Sequence, residues 1–204
     1  NIYITSNGVA SINHSNFTSV SSEAKGGSIQ VSAGSLMVHS SMFHNNSAGY
    51  EGGAIHFSQQ ALSENVLSRL TILNCNFSQN NLTSSEVTTL GGALFFSVAK
   101  EGLTNSIIIQ NNNFSQNYAG NGGGGAAFIK YTQPAFNKSS PIFELIEKIV
   151  SENVFENNSA LYGSKGATNP FAGVLTLINA KNESDVQFTC SVSPCQMPKN
   201  ITAT

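Results

Sequence analysis

Few side chains in this sequence could do acid–base chemistry, and they are scattered along the chain. The single aspartate is Asp185. Glycoside hydrolysis needs two carboxylates placed across the scissile bond. The glutamates instead fall in predicted loops, beside glycine pairs, or in the run from Glu144 to Glu156, which we interpret as one solvated strand face. The sequence therefore predicts that the protein is not an enzyme and uses no cofactor.

The histidines and the glycine-rich stretch are the other places where a site could lie. His39, His44 and His56 fall in one segment, but no acidic partner or third-ligand spacing accompanies them, so we interpret them as surface side chains rather than metal ligands. The stretch from Gly120 to Gly125 lacks the Lys and Ser/Thr of a phosphate-binding loop. The sequence thus predicts no metal site and no nucleotide site.

Charge excludes two further classes of partner. Charged residues make up 10% of the chain, the formal net charge is −2, and Arg69 is the one arginine. Such a chain has no basic surface for a phosphate backbone, so we expect no nucleic-acid binding. No apolar run reaches the roughly 20 residues that span a bilayer as a helix, so we expect no membrane insertion.

The three cysteines give a modest indication of compartment. Cys190 and Cys195 bracket four residues and could close a small loop as a disulfide. Cys75 is left over, and we interpret it as a small buried side chain. The C-terminal pair favours an oxidising, extracellular setting.

The elements that must position these residues are set by an internal repeat. The stretch FHNNSAGYEGGAI begins at Phe43, and its pattern of Phe, Asn and a glycine pair returns several times. Seven and five residues before each Phe stand two columns that are apolar in nine of ten places, the period-2 spacing of one strand face. We expect the aligned phenylalanines to fill the interior as one core column: Phe17, Phe43, Phe77, Phe114 and Phe155.

Two turn signals follow each Phe. Three residues on stands Asn46, Asn80, Asn117 or Asn158, with Val20 in the first repeat. Because asparagine tolerates the left-handed conformation, we expect it to make the corner, and stacked copies could also hydrogen-bond as a ladder. The glycine pairs predict a tight bend that opens a second strand.

Repeats of this kind cannot bury their own apolar face, but stacking buries it. The distances between successive phenylalanines grow from 26 to 41 residues, and the additional residues fall between the conserved positions of the pattern, where loops are tolerated. We therefore predict an all-β parallel β-helix of about five to six coils with inserted loops over residues 1–180. Residues 181–204 form a C-terminal tail or cap. The segment IFELIEKIVSENVF is assigned to strand because it falls on the same columns.

The FxxN pattern followed by GGA[ILV] resembles the repeat of the polymorphic outer-membrane protein family, which are surface proteins and adhesins. FHNNSAGYEGGAI and the copies from Phe77 and Phe114 carry the likeness, whereas the copy from Phe155 lacks a full GGA and the one from Phe17 lacks the Asn. The resemblance covers roughly residues 10 to 180. It implies a right-handed parallel β-helix displayed outside a cell, and it implies no catalytic residue or ligand.

Asn-x-Ser/Thr sequons are twice as frequent as composition alone predicts. The sequence has 25 Asn and 42 Ser plus Thr, for which chance gives about five sequons. Part of the excess comes from the repeat itself, but four sequons lie in predicted loops or the tail, where the repeat demands nothing. We expect N-glycosylation, first at the loop and tail sites. The candidates are Asn81, Asn137, Asn182, Asn200, Asn16, Asn76, Asn113, Asn13, Asn45 and Asn157.

These observations predict a non-enzymatic extracellular structural glycoprotein, a β-helix rod of a cell-surface layer or filament. The expected partners are further copies of the chain joined end to end, or other cell-surface proteins. An adhesin passenger domain that binds cells or matrix through its loops is the alternative, and a polysaccharide-active β-helix enzyme is the third.

Overall fold

The computed structural model describes residues 1–5, 8–59, 68–85, 87–99, 101–131, 141–168, 174–176 and 187–189. In these ranges the protein is mostly β-structure, and its main sheets are parallel, which confirms the predicted fold class at that level. The predicted disulfide between Cys190 and Cys195 lies outside the described residues. No helix in the described part is long and apolar enough to cross a membrane.

Three sheets each take one strand from successive repeats. The first contains β1 (Ile2–Ile4), β4 (Ile29–Ser32), β8 (Ile55–Ser58), β12 (Leu94–Val98), β15 (Ala127–Tyr131) and β17 (Gly166–Thr168), in that order. The second contains β2 (Val9–Asn13), β5 (Ser35–His39), β9 (Leu70–Leu73) and β13 (Ile107–Gln110). The third contains β3 (Asn16–Thr18), β6 (Met42–His44), β10 (Asn76–Ser78), β14 (Asn113–Ser115) and β16 (Val154–Glu156).

Smaller elements complete the described chain. Strands β7 (Ser47–Ala48) and β11 (Asn81–Leu82) form a short parallel pair. Strands β18 (Val174–Thr176) and β19 (Gln187–Thr189) pair in antiparallel fashion. A 3₁₀-helix spans Glu101–Ser106, and one α-helix, α1, spans Pro141–Ser151.

The phenylalanine column forms one stack of rings through the core. Phe43, Phe77 and Phe114 are fully buried, while Phe17 and Phe155 at the two ends are half-buried. Successive ring centroids lie 4.9, 4.8, 4.8 and 5.2 Å apart, and the ring planes are nearly parallel. This spacing is that of neighbouring strands, because each Phe pairs in register with the Phe of the next repeat.

The asparagines three residues after each Phe form a hydrogen-bonded ladder. Asn80, for example, donates from Nδ2 to Oδ1 of Asn117 at 2.9 Å and to the carbonyl oxygen of Phe43 at 3.0 Å. Asn46 and Asn117 repeat the arrangement, and Asn158 ends the ladder. These contacts satisfy amides that are buried in the core, where a missing partner would be costly.

The corner itself is made one residue earlier than the sequence predicts. The left-handed backbone occurs at the residue before each ladder position, with φ between 52° and 57°. All these residues are exposed, whereas the ladder asparagines are buried or half-buried. The expectation that the ladder asparagine adopts the left-handed conformation was therefore wrong, because its side chain serves the core and an exposed neighbour makes the turn: Ser19, Asn45, Gln79, Gln116 and Asn157.

A second polar ladder stands two residues before each Phe. Asn112 donates from Nδ2 to Oδ1 of Asn153 at 2.9 Å, and the N–H of Cys75 donates to Oδ1 of Asn112 at 2.8 Å. In the first repeats the N–H of Ser15 donates to Oγ of Ser41. The sequence pattern does not reveal this ladder, because its residue type changes from Ser to Cys to Asn along the column.

The two glycines of each pair meet different structural requirements. The first takes a positive φ, as at Gly52 with φ 64°. At the second, the backbone of the next repeat leaves no room for a side chain: a Cβ on Gly92 would lie 2.1 Å from the carbonyl oxygen of Gly125. In the fifth repeat Gly163 supplies the positive φ, and Ser164 stands where the second glycine would be.

The strand predicted for IFELIEKIVSENVF was wrong in its first part. That part is helix α1, because Ile142, Leu145, Ile146 and Ile149 recur at helical spacing and are buried on one side. Lys148 and Val150, which fell on the strand columns, lie on this helix.

Helix α1 takes the place of a fifth strand in one sheet. It contacts β13, the last strand of the second sheet, and shields its edge. The chain then returns to strand in β16, so the phenylalanine stack continues through Phe155. Asn153 links α1 to β13 by donating to the carbonyl oxygens of Ile149 on the helix and Ile109 on the strand.

Candidate functional site

A column of side chains on the outside of the first sheet differs from repeat to repeat. It is formed by the residue before each glycine bend, and neighbouring members form isolated bridges. Beneath it, on strands β8, β12 and β15, lie His56, Phe95 and Phe128, which occupy one register row. The column members are Lys25, Glu51, Leu90, Gly123 and Tyr162.

One end of this column is apolar. Phe95 and Phe128 are buried and parallel, with ring centroids 6.0 Å apart, and Leu90 and Tyr162 pack against them. Gly123 leaves the room that the Tyr162 ring needs, since a Cβ there would lie 2.2 Å from that ring. Burial raises the pKa of the Tyr162 phenol. We interpret this end as a small second core.

The other end holds a charged cluster, which we define as Lys25, Glu51 and His56. Nζ of Lys25 lies 2.7 Å from Oε2 of Glu51, and Nε2 of His56 lies 3.1 Å from the same oxygen. Glu51 and His56 are buried, and the imidazole stacks on Phe95 at 4.9 Å between centroids. The interpretation of His56 as a surface histidine was therefore wrong.

Burial and hydrogen bonding set the charges of the cluster. Burial of Glu51 tends to raise its pKa, but hydrogen bonds from His56 and Lys25 and the Lys25 charge outweigh this and lower the pKa to about 2. Burial of His56 lowers its pKa, although the Glu51 carboxylate offsets part of that effect. At neutral pH the cluster thus contains a carboxylate, an ammonium and a neutral imidazole.

The neutral imidazole has a defined tautomer. Because Nε2 faces a carboxylate oxygen, it carries the proton and donates, which leaves Nδ1 as an acceptor. Nδ1 is buried and has no hydrogen-bond partner among the described residues. An uncompensated buried acceptor is costly, which distinguishes this position from the satisfied ladders inside the stack.

A cavity of about 190 Å³ adjoins the charged cluster. Its remaining polar lining comes from the outer faces of β8, β12 and β15 and from the residue after β8. These residues are Ser58, Gln59, Ser97 and Lys130. Within the described residues, no group of three or more His, Cys, Asp or Glu side chains is placed to hold a metal ion.

The other two histidines considered as metal ligands do not line this cavity. His39 contacts Ser40 and Asn74 and lies edge-on to His14 at 6.2 Å between ring centroids. His44 pairs with Ser78 through Nδ1 at 2.9 Å. The three histidines that are close in the sequence thus lie in three different sheets, because they are on strands β5, β6 and β8.

A second, wider hollow lies at the junction of the second and third sheets. This asparagine groove has a volume of about 610 Å³ and runs across five repeats. Asn74, Asn76, Asn111 and Asn113 line it, together with Cys75 and Glu152. Cys75 is buried, forms no disulfide with a described residue, and has a pKa raised by burial.

The prediction that the Asn81 sequon lies in a loop was wrong, because Asn81 lies on β11 and pairs with Ser47 of β7. Asn81 and Asn113 are half-buried, and Asn76 and Asn113 are direct register partners on β10 and β14. Two glycans on this pair would start about one strand spacing, roughly 4.8 Å, apart. The predicted sites Asn137, Asn182 and Asn200 lie outside the described residues. The described sequons that are exposed are Asn13, Asn16, Asn45, Asn76 and Asn157.

No family model, no curated protein and no solved structure matches this chain in the comparisons made.

Proposed function

We propose that the chain is a non-enzymatic structural glycoprotein, a right-handed parallel β-helix rod of an extracellular surface layer or filament. The observation that carries the proposal is the continuity of the interior. The phenylalanine stack passes through five repeats at 4.8–5.2 Å, and the asparagine ladder accompanies it. Such an interior builds length and stiffness, and each repeat contacts mainly its neighbours.

The parallel pairing of each strand with its copy one repeat away supports the helical winding of the chain. The right hand is supported by the general preference of parallel crossover connections. Display outside the cell is supported by the likeness of the FxxN and GGA repeats to those of polymorphic outer-membrane proteins. The sequon excess and the exposure of five described sequons favour glycan attachment.

Association through an end is the proposed route to a filament. Strands β1, β2 and β3 each stand last in their sheets among the described residues, and the backbone groups of an edge strand can pair with another chain. At the other end of the second sheet, α1 covers β13. A contact between unlike ends would therefore use the first and third sheets, and it would generate filaments because it does not close.

Electron microscopy of native material tests the proposal directly. We expect rods that associate end to end, and a rise in rod length with protein concentration. Short dispersed monomers at every concentration and salt level would overturn the filament. Glycopeptide mapping is the second arm, and the absence of any modified asparagine would remove the glycoprotein part of the proposal.

The asparagine groove favours an adhesin passenger domain as the second candidate. Its amide side chains recur at the strand spacing along one side of the rod, which suits a long polar partner. Binding of the intact protein to glycan-coated and matrix-coated surfaces, compared with an Asn74→Leu/Asn111→Leu variant, separates this candidate from a purely structural rod. Equal binding by both proteins would exclude the groove.

A further inference from the structure

The cavity beside the charged cluster has more hydrogen-bond donors than acceptors. Lys25 uses one of its three ammonium hydrogens on Glu51 and keeps two. Lys130 is exposed and makes no ion pair with a described residue. Ser58 accepts a hydrogen bond from Ser97, so its own hydroxyl hydrogen remains available. Donors on three side chains therefore face a shared space.

The other lining groups are already engaged by the protein. The Gln59 amide donates to Ser68 and Ser106 and accepts from the N–H of Ala99. Oγ of Ser97 accepts from the N–H of Gln59 and donates to Ser58. These bonds hold the cavity wall in place, and they leave Gln59 and Ser97 as supports rather than ligand-binding groups.

Besides Nδ1 of His56, the cluster leaves one carboxylate oxygen for a ligand. Both protein contacts of Glu51 use Oε2, so Oε1 has no hydrogen bond from a described side chain. Lys25 and Glu51 nearly cancel in charge, His56 is neutral, and Lys130 adds one positive charge. The cavity thus carries a net positive charge with a single carboxylate oxygen at one side.

The lining is compact enough for one small molecule to reach both sides. Ser58, Ser97 and Lys130 are register partners on three neighbouring strands. The Cα atoms of Ser58 and Lys130 are therefore about two strand spacings, roughly 10 Å, apart, a distance that a lysine side chain spans in large part. A volume of about 190 Å³ is below the range of drug-sized pockets and several times that of a water molecule.

We propose that this cavity is a binding site for a small hydroxy acid. The ligand carboxylate accepts hydrogen bonds from Lys130 and from the Ser58 hydroxyl, while a ligand hydroxyl donates to Oε1 of Glu51. Lys25 keeps Glu51 ionised and oriented, and Phe95 supplies an apolar wall. The site goes beyond the proposed rod, which stands whether or not a ligand binds.

A titration of the full chain with three matched probes tests the site. The probes are glycerate, which carries a carboxylate and hydroxyls, propionate, which carries only the carboxylate, and glycerol, which carries only hydroxyls. We expect glycerate to shift amide resonances of β8, β12 and β15 in ¹H–¹⁵N spectra at constant ionic strength. Propionate and glycerol should bind at least about tenfold more weakly, since propionate loses the bond to Glu51 and glycerol loses the carboxylate that accepts from Lys130 and Ser58.

Two lysine variants provide the matched control. Lys130→Ala should weaken glycerate binding about tenfold, and Lys148→Ala, which removes an equally exposed lysine on α1, should leave it unchanged. Unfolding midpoints of both variants should match the wild type, because neither ammonium has a partner within the described residues. Overturning results are an unchanged affinity in Lys130→Ala, equal shifts with all three probes, or no shift with glycerate.

Discussion

Inside the stack, similar side chains recur at the same positions in repeat after repeat, whereas the outer column changes from Lys25 and Glu51 to Leu90, Gly123 and Tyr162. Each interior side chain contacts the equivalent side chain of the next repeat. Phe77 stacks on the neighbouring phenylalanine, and Asn80 donates a hydrogen bond to Asn117. In the part of the chain that the structure describes, the charged cluster has no copy, and it leaves a buried imidazole nitrogen without a partner. Side chains that are the same in every repeat stabilise the stacking of the repeats, and a position where the side chains differ is where a binding site can form.

The largest loss of stability is expected from a substitution that prevents two repeats from packing together. An alanine at Gly92 would place its Cβ 2.1 Å from the carbonyl oxygen of Gly125, and a backbone atom cannot move away as a side chain can. We expect Gly92→Ala to lower the free energy of unfolding by more than about 4 kcal/mol or to prevent folding. Urea unfolding followed by circular dichroism measures it. Ser164→Ala is the control and should unfold like the wild type.

Removing one ring from the stack should have the next largest effect. Phe77 is fully buried between two rings, so Phe77→Ala should reduce the free energy of unfolding by about 3–5 kcal/mol. Phe155 is half-buried, so Phe155→Ala should cost less, about 1–2 kcal/mol. Denaturation curves of the two variants decide it, and equal losses would contradict the ring stack as the centre of stability.

Acidification should affect the charged cluster and not the ladders, which do not titrate. The folded pKa of Glu51 is about 2 against its usual 4.5, so its stabilising contribution is complete above pH 4.5 and is lost as the pH falls through about 2. The lowered pKa of His56 acts in the same direction below its usual 6.5, because the unfolded chain binds the proton first. Stability should fall by about 2–3 kcal/mol from pH 7 to pH 2.5.

Urea midpoints measured across this pH range check the expectation. Glu51→Gln should flatten the part of the profile below pH 4.5. A Glu51→Gln profile identical to that of the wild type would show that the cluster does not set the acid response.

The mildest change converts the charged end of the outer column into a copy of the apolar end. Glu51→Leu/His56→Phe gives the second repeat the residues that the third has at Leu90 and Phe95. Because replacing a buried ion pair by packed apolar groups is often neutral, we expect a change within about 1 kcal/mol at pH 7. Glu51→Leu alone should be less stable, since it leaves His56 without its partner. Thermal melts of both variants distinguish a stabilising role of the cluster from a binding role.

The features that recur in successive repeats could be predicted from the sequence, whereas the features that occur once could not. Phe43 and Asn46 recur with their columns, so parallel stacking and a ladder follow from the pattern. Helix α1 was missed because alignment to the columns outweighed the helical spacing of Ile142, Leu145 and Ile146. The position of the corner was predicted wrongly because asparagine is suited both to a left-handed turn and to a hydrogen-bonded ladder. Whether its side chain is buried decides which of the two it forms.

The charged cluster was beyond sequence reasoning for a different reason. Lys25 and Glu51 are 26 positions apart and meet only because successive glycine bends lie in register. His56 could have been paired with Glu51 once its row on β8 was known, since both stand near the same bend. The sequence signal is the change of residue type before the glycines, which a search for recurring motifs discards as noise.

The serine that replaces the second glycine in the fifth repeat has a consequence for how such a chain can lengthen in evolution. A duplicated repeat can be accommodated only if the surface that receives it lacks a Cβ at this position, as Gly27, Gly53 and Gly92 do. Ser164 presents one, so a copy inserted after it meets an obstacle that a copy inserted before it does not. Gene duplication would therefore add repeats before the serine-bearing unit more readily than directly after it.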